Sequence, residues 1–449
     1  MEKGRLFNRR QLERNPVHLM KRLLTLMAAA LLATASHASD FFIHNGDRVV
    51  FLGDSITEQR LYTTFIEAYA LTRHPDWKLT FRNVGWSGDT AWLRQRAHPN
   101  ENKLFAAQGA DLKAMVEKSV GVGLARDVLP LNPTAITIKF GMNDHSYQPF
   151  RPDIFRAYIA SQTELVTVLK KNGARVALLT PQPIEDRNPD PDKDARNLSL
   201  RKFSDGLRDV AQTNGAFFVD QFDPYMAAMM HERATNPQAF IGGGDAVHPG
   251  PAGHTLMAWA ILKSLGATPL VSSTELKCGW WTRARNSQNC KVTNVRLNDG
   301  VLSFDRLDRA LPLPVDARAE AALKLAPIVA DLDVYLLKVT GLKGGNYSVS
   351  IDGAVVGTIS KSELELGWNM ARVKSPMLNQ AQDVLQLVFT KNSLFFNRWR
   401  NVQLNPQRQA ELPELDKQIT ELEVKINEAR IPKTHHFELK PVSDTGVRS

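Results

Sequence analysis

Cysteine is nearly absent from this chain, with only Cys278 and Cys290 among 449 residues. That excludes a disulfide-rich scaffold and leaves at most one internal bridge. The two are close in sequence, so one local disulfide is expected in an oxidising compartment, with two independent thiols as the alternative. No His or Cys partners cluster around them, which argues against a zinc site there. Long apolar runs are missing as well: none after residue 40 approaches the roughly 20 residues that a membrane-spanning helix needs. A one-sided basic stripe interleaved with aromatics is also lacking, so nucleic acid is not an expected partner.

The formal charge of +9 is partly an effect of the first residues. Residues 1–38 hold seven Lys or Arg against two acids, so five of the nine net charges lie there and about +4 remains beyond them. Within this stretch Lys21-Arg22 precedes an apolar run over 23–35, and Ser36-His37-Ala38 places small residues where a signal peptidase reads them. A signal peptide cleaved after Ala38 is expected, with Met20 rather than Met1 as the natural start. The apolar run is short for a bilayer span. The sequence therefore points to an exported protein, periplasmic or extracellular, with no stable membrane span once the leader is removed.

About 410 residues remain, more than one typical domain of about 100–200. The first domain is expected over 40–268. Strand-like runs over 48–52, 79–84, 135–140, 176–180 and 216–219 each precede a longer amphipathic segment. Phe155, Tyr158, Ile159, Val166 and Leu169 recur at helical spacing between Pro152 and Gly173, which supply start and stop signals. Such alternation predicts right-handed crossovers and a parallel sheet covered on both faces, a three-layer α/β/α sandwich. In that architecture ligands bind outside the carboxyl ends of the strands.

Four strand-end loops carry candidate chemistry. Gly53-Asp54-Ser55-Ile56 follows the first strand and presents a serine where a helix begins. Ser87-Gly88-Asp89-Thr90 follows the second, and an unobstructed N–H at Gly88 could meet a developing oxyanion. Gly141-Met142-Asn143-Asp144 follows the third, where the Asn143 amide could donate to the same oxyanion. Taken singly, each is ordinary turn chemistry. The loop before the last helix delivers Asp245 and His248 three residues apart, with Pro249 holding His248 extended. Asp245 could orient the imidazole while its other nitrogen takes the proton of Ser55. His254 reads as helix packing or capping.

In this order, the four blocks resemble the SGNH hydrolases, or GDSL esterases, over roughly half the chain. The resemblance implies a flavodoxin-like sandwich, a Ser55–His248–Asp245 triad, and an oxyanion hole from the Ser55 and Gly88 N–H groups and the Asn143 amide. It calls for no metal or other cofactor. Asp54, Trp86, His145 and Tyr147 flank the blocks as candidate pocket residues. The expected reaction is ester hydrolysis, with O-acetyl groups on a carbohydrate as the first candidate substrate. A lipolytic or aryl esterase and a non-catalytic polysaccharide-binding protein are the alternatives.

Beyond the hydrolase region, 269–318 reads as a linker carrying both cysteines, and 319–404 as a β-rich accessory domain. Strands are expected over 334–339, 347–351, 355–359 and 385–390, with Asp352-Gly353 as a type I′ hairpin turn. Trp280 and Trp281 are expected to pack in a core or against a neighbouring domain, with a sugar-stacking platform as the alternative. Leu412, Leu415, Ile419, Leu422 and Ile426 line one face of a helix expected over 405–432. That helix is short for an independent coiled coil, so docking on its own chain is expected. The tail over 433–449 is expected to be loosely ordered.

Overall fold

Apolar runs with little polar interruption suit strands buried on both faces, and five of them form the central sheet. The computed structural model describes residues 41–442, so the expected leader lies outside the described residues. Strands β1 (Arg48–Gly53), β2 (Thr80–Asn83), β3 (Ala135–Lys139), β4 (Arg175–Leu179) and β5 (Phe217–Val219) pair in the order β2-β1-β3-β4-β5, all parallel. The order reverses at β1, so the carboxyl ends of β1 and β3 flank the topological switch point, where open α/β sheets bind ligands.

Alternation within β1 supplies both layers. Val49 and Phe51 face a core shared with helices α1 (Leu61–Arg73) and α5 (Pro251–Ser264). Val50 and Leu52 face the opposite core, built with α2 (Gly109–Asp127), α3 (Pro152–Lys171) and α4 (Ala195–Asn214). The buried stripe of α3, through Ile154, Tyr158, Leu165 and Leu169, follows the helical period, and Gly173 ends the turn at φ +85°. The result is a three-layer α/β/α sandwich.

The remaining strands make two further sheets. The first has the order β13-β10-β6-β7, from β6 (Leu270–Lys277), β7 (Arg283–Gln288), β10 (Val334–Thr340) and β13 (Trp368–Asn369), with β6 and β10 parallel. The second is antiparallel, in the order β12-β11-β14-β9-β8, from β8 (Cys290–Asn298), β9 (Val301–Asp308), β11 (Asn346–Ile351), β12 (Ala354–Ser360) and β14 (Thr434–Pro441). Asp352 (φ +51°) and Gly353 (φ +80°) turn β11 into β12, both left-handed as a type I′ turn requires.

Several expectations need correction. The stretch expected as a linker holds β6 to β9, and its proline-containing part is packed: Leu311, Leu313 and Val315 are buried, and the Leu311 N–H donates to Thr72 O at 2.9 Å. The expected strand over 385–390 lies inside a helix, α6 (Pro376–Phe396), capped by Ser375. Ala381, Val384, Leu385 and Val388 are buried at helical spacing, and that longer period overrides the local β-branched and aromatic content. The expected loose tail contains β14, an inner strand between β9 and β11, with His435, Phe437 and Leu439 alternately buried. A helix over Leu412–Ala429, α7, packs on α6 through Ile419 and Ile426, so it docks on its own chain.

The cysteines are both free. Cys290 Sγ lies 3.3 Å from Ser273 O, whereas Cys278 is five residues further along, just past the end of β6. At about 3.3 Å per residue that is roughly 16 Å, well beyond the roughly 7 Å between Cα atoms that a disulfide tolerates. Trp280 and Trp281 are exposed, at 95% and 77%, and belong to no core.

Candidate active site

The Ser55 turn is built by close approach. A Cβ at Gly53 would stand 2.2 Å from Thr57 Oγ1 and 2.7 Å from Lys139 O, so no larger residue fits before Asp54. Asp54 then caps the single helical turn Ser55–Glu58, accepting the Ile56 N–H at 3.0 Å. Its carboxylate is buried 3.7 Å from the Lys139 ammonium. Burial pushes the Lys139 pKa down, against the pull of Asp54. Asp54 is therefore the floor beneath Ser55, not a pocket residue.

The loop between the helix Phe222–Arg233 and α5 brings the imidazole to the serine. Ser55 Oγ lies 2.9 Å from His248 Nε2, and His248 Nδ1 lies 3.1 Å from Asp245 Oδ2. Asp245 Oδ1 accepts the N–H groups of Val247 and His248 at 2.8 and 2.7 Å. Burial would raise the Asp245 pKa, but these two N–H groups and the imidazole outweigh it and hold the carboxyl below its ordinary value. An ionised Asp245 favours the tautomer with the proton on Nδ1, which leaves Nε2 to accept from Ser55.

Glu185 was not singled out from sequence, yet it fastens this loop. Its carboxylate accepts the Ile241 and Gly242 N–H groups at 2.5 and 2.9 Å and the Tyr225 hydroxyl at 3.1 Å. No local motif marks it, because its partners lie 40 or more positions away.

The second and third blocks are tied together. Asp144 accepts the Ala91 and Gly141 N–H groups, each at 2.8 Å, and burial raises its pKa to about 7. Asn143 donates one Nδ2 hydrogen to Asp89 O at 3.0 Å, and its Oδ1 accepts the Tyr147 hydroxyl at 2.9 Å. Both contacts fix the carboxamide and leave its second N–H unpaired among the described residues. Gly88 sits at φ +75°, a left-handed conformation that favours glycine.

His145 is buried, with Nδ1 3.1 Å from Gly141 O, and burial lowers its pKa to about 4. Trp86 is enclosed by the guanidinium groups of Arg96, Arg126 and Arg400, whose centres lie 5.4, 4.9 and 3.3 Å from its ring. Neither lines the depression beside Ser55, because packing consumes both side chains. Tyr147 remains exposed and acts on the site through Asn143.

The depression itself has a volume of about 450 Å³ and an open mouth. Besides Ser55, His248 and Asp245, its lining consists of Glu58, Gln59, Arg60, Ser87 and Phe396. The first four adjoin motifs read in the sequence, but Phe396 arrives from α6. Among the described residues no group of three or more His, Cys, Asp or Glu side chains could hold a metal ion. Nor, among the described residues, is any helix long and apolar enough to cross a membrane.

Residues 51–256 match the GDSL-like lipase/acylhydrolase family. These residues carry an SGNH hydrolase domain. An acetylxylan esterase of Geobacillus stearothermophilus is 24% identical over 245 residues, covering 50% of this chain and 96% of that protein. A solved structure of that esterase is 25% identical over the same shares, with a TM-score of 0.37. A gut microbial diltiazem-metabolizing enzyme is similar over 89% of this hydrolase and 98% of its own chain, at 24% identity and a TM-score of 0.73. The likeness to that enzyme extends the shared fold through the C-terminal sheets. This SGNH hydrolase is an enzyme of the esterase class.

His254, beside the site, gives a pH prediction. Its Nδ1 accepts the Tyr62 N–H at 3.2 Å, and its Nε2 lies 2.6 Å from Gln59 Oε1, so the native state holds a neutral ring. Burial lowers its pKa from 6.5 to about 3. Between these values the unfolded chain binds the extra proton, so this contribution to stability is complete above pH 6.5 and is lost as pH falls toward 3. Urea unfolding midpoints measured from pH 7 to 4 should fall less steeply for His254→Asn than for the parent; equal slopes would contradict the assignment.

Proposed function

We propose that this hydrolase is an exported serine esterase that removes small acyl groups, acetyl first among them, from a carbohydrate. The observation that carries the catalytic part is the hydrogen-bonded chain from Ser55 Oγ through His248 to Asp245 at the switch point of the sheet. Ser55 Oγ attacks the ester carbonyl while His248 Nε2 takes its proton, and a C–O bond forms as the carbonyl π pair moves to oxygen. The N–H groups of Ser55 and Gly88 and the free Asn143 hydrogen receive that oxyanion. Collapse breaks the bond to the alcohol, which leaves with the proton from His248. Water, deprotonated by the same imidazole, then releases the acid and regenerates Ser55.

The sequence relation to an acetylxylan esterase supports an acetylated polysaccharide as substrate, and the signal-like first residues support export. The exposure of Trp280 and Trp281 favours an additional polysaccharide contact on the hairpin between β6 and β7. Acetate release from acetylated xylo-oligosaccharides, compared with cleavage of short and long p-nitrophenyl esters, tests the reading. Cleavage confined to the long-chain ester would replace it with a lipase, and a parent as inert as Ser55→Ala would replace it with a binding protein. Asn143→Ala should lower kcat by about 100- to 1,000-fold with a smaller change in KM; a change of less than threefold would remove Asn143 from the oxyanion hole.

A further inference from the structure

We propose that Arg60 and Phe396 form a ledge that selects the alcohol part of the ester, holding a ring-bearing alcohol such as a pyranose while its acyl group reaches Ser55. This rests on the esterase reading above and adds a specificity element supplied by the C-terminal half of the chain. Both side chains line the depression that contains Ser55 and His248. The Arg60 guanidinium lies over the Phe396 ring, 4.3 Å from its centroid, and donates from Nη1 to Glu58 O at 2.7 Å. An aromatic ring offers a face or edge to the C–H groups of a sugar, and a guanidinium edge donates to its hydroxyls.

The ledge is held from both sides. Arg60 has a left-handed backbone at φ +63°, an uncommon state for a non-glycine residue, imposed where the nucleophile turn meets α1. Phe396 is the last residue of α6, immediately before a π-helical turn over Asn397–Gln403. Such turns are rare and frequently accompany functional sites. A buried contact pins α6 to α1: Lys391 pairs with Glu67, and Asn392 donates to Glu67 Oε2 and Thr64 Oγ1, each at 2.9 Å. Just beyond the ledge, Trp399 packs edge-on to Trp86 at 5.8 Å. The site-facing aromatic thus stands on a rigid support, as a specificity element requires.

Phe396 lies outside the family-matched residues 51–256, and the acetylxylan esterase is aligned over 96% of its length with only half of this chain. The hydrolase domain supplies the proposed chemistry, whereas the ledge joins it to a residue beyond the family-matched stretch.

The test compares acetylated xylo-oligosaccharide with ethyl acetate, which shares the acyl group but has no ring. Full-length parent, Phe396→Ala, Phe396→Tyr and Arg60→Ala are assayed by acetate release. For Phe396→Ala and Arg60→Ala, the ratio of kcat/KM for the oligosaccharide to that for ethyl acetate should fall at least tenfold, mainly through KM. Phe396→Tyr should recover most of the ratio. A ratio unmoved in both alanine variants, whether overall activity falls or not, would overturn the ledge and leave the esterase reading intact. A parent that cleaves neither ester would overturn both. Should Phe396→Ala fail to fold, Arg60→Ala and Phe396→Leu read the same ratio independently.

Discussion

Ser55→Ala should lower kcat for ester hydrolysis by roughly a millionfold, the scale seen when a serine nucleophile is removed from a triad that acts as a unit. The physical reason is that His248 Nε2, now 2.9 Å from Ser55 Oγ, would have no hydroxyl to deprotonate. The remaining N–H donors could still polarise a bound carbonyl, but only free water could attack it. Asp245 should matter less. Its side chain is 66% exposed, so water can replace part of what it contributes, and Asp245→Asn should retain far more activity than Ser55→Ala. Acetate release in single-turnover and steady-state assays separates these variants. Ser55→Ala retaining a tenth of parental turnover would sink the covalent mechanism, and equal losses in both variants would contradict the ordering.

Lys391→Ala should cost about 3–5 kcal/mol of stability, the usual penalty for leaving one charge of a buried pair alone. Lys391 and Glu67 are 1% and 3% exposed. Burial lowers the Lys391 pKa and raises that of Glu67, each against the pull of its partner. Removing the amine leaves Glu67 with Asn392 as its remaining side-chain donor, in a site that water cannot reach. The double variant Glu67→Gln/Lys391→Met removes both charges and should recover most of the loss. Urea unfolding at neutral pH measures both. A single variant within 1 kcal/mol of the parent would show that the pair is not a principal fastening of α6 to α1.

The central sheet was legible because its strands are buried on both faces. Runs such as Val49-Val50-Phe51-Leu52 therefore stay apolar and end in turn-forming residues. The same pattern misled over Leu385–Thr390 because a short stretch of Leu, Val, Phe and Thr fits either period. Only the spacing from Ala381 to Val388, with the Ser375 cap and Pro376, favours a helix. Near the end, His435, Phe437 and Leu439 carry the period-two signal of a strand; proximity to the terminus had outweighed it. The two cysteines show a different limit. Closeness in sequence did not bring Cys278 to Cys290, because β7 lies between them in the chain and Cys290, at the start of β8, meets the carbonyl of Ser273, five residues before Cys278.

The parallel α/β core and the four loop blocks follow from local residues alone, because strand burial, turn chemistry and loop position are written within a few places of one another. Local pattern likewise groups Ser55, Gly88 and Asn143 at one end of the sheet, since each follows a parallel strand and every such strand delivers its following loop to the same side; Asp245 and His248 follow a helix, Phe222–Arg233, and the tertiary fold brings them to Ser55. The tertiary structure alone decided which neighbours complete the depression. Trp86 and His145 turned inward because arginine side chains and a backbone carbonyl engage them, and Phe396 entered because a buried ion pair and aromatic packing fix α6 beside α1. Periodicity states that a face must be covered but not by what, and the identity of that cover depends on shape and charge matching between segments hundreds of residues apart.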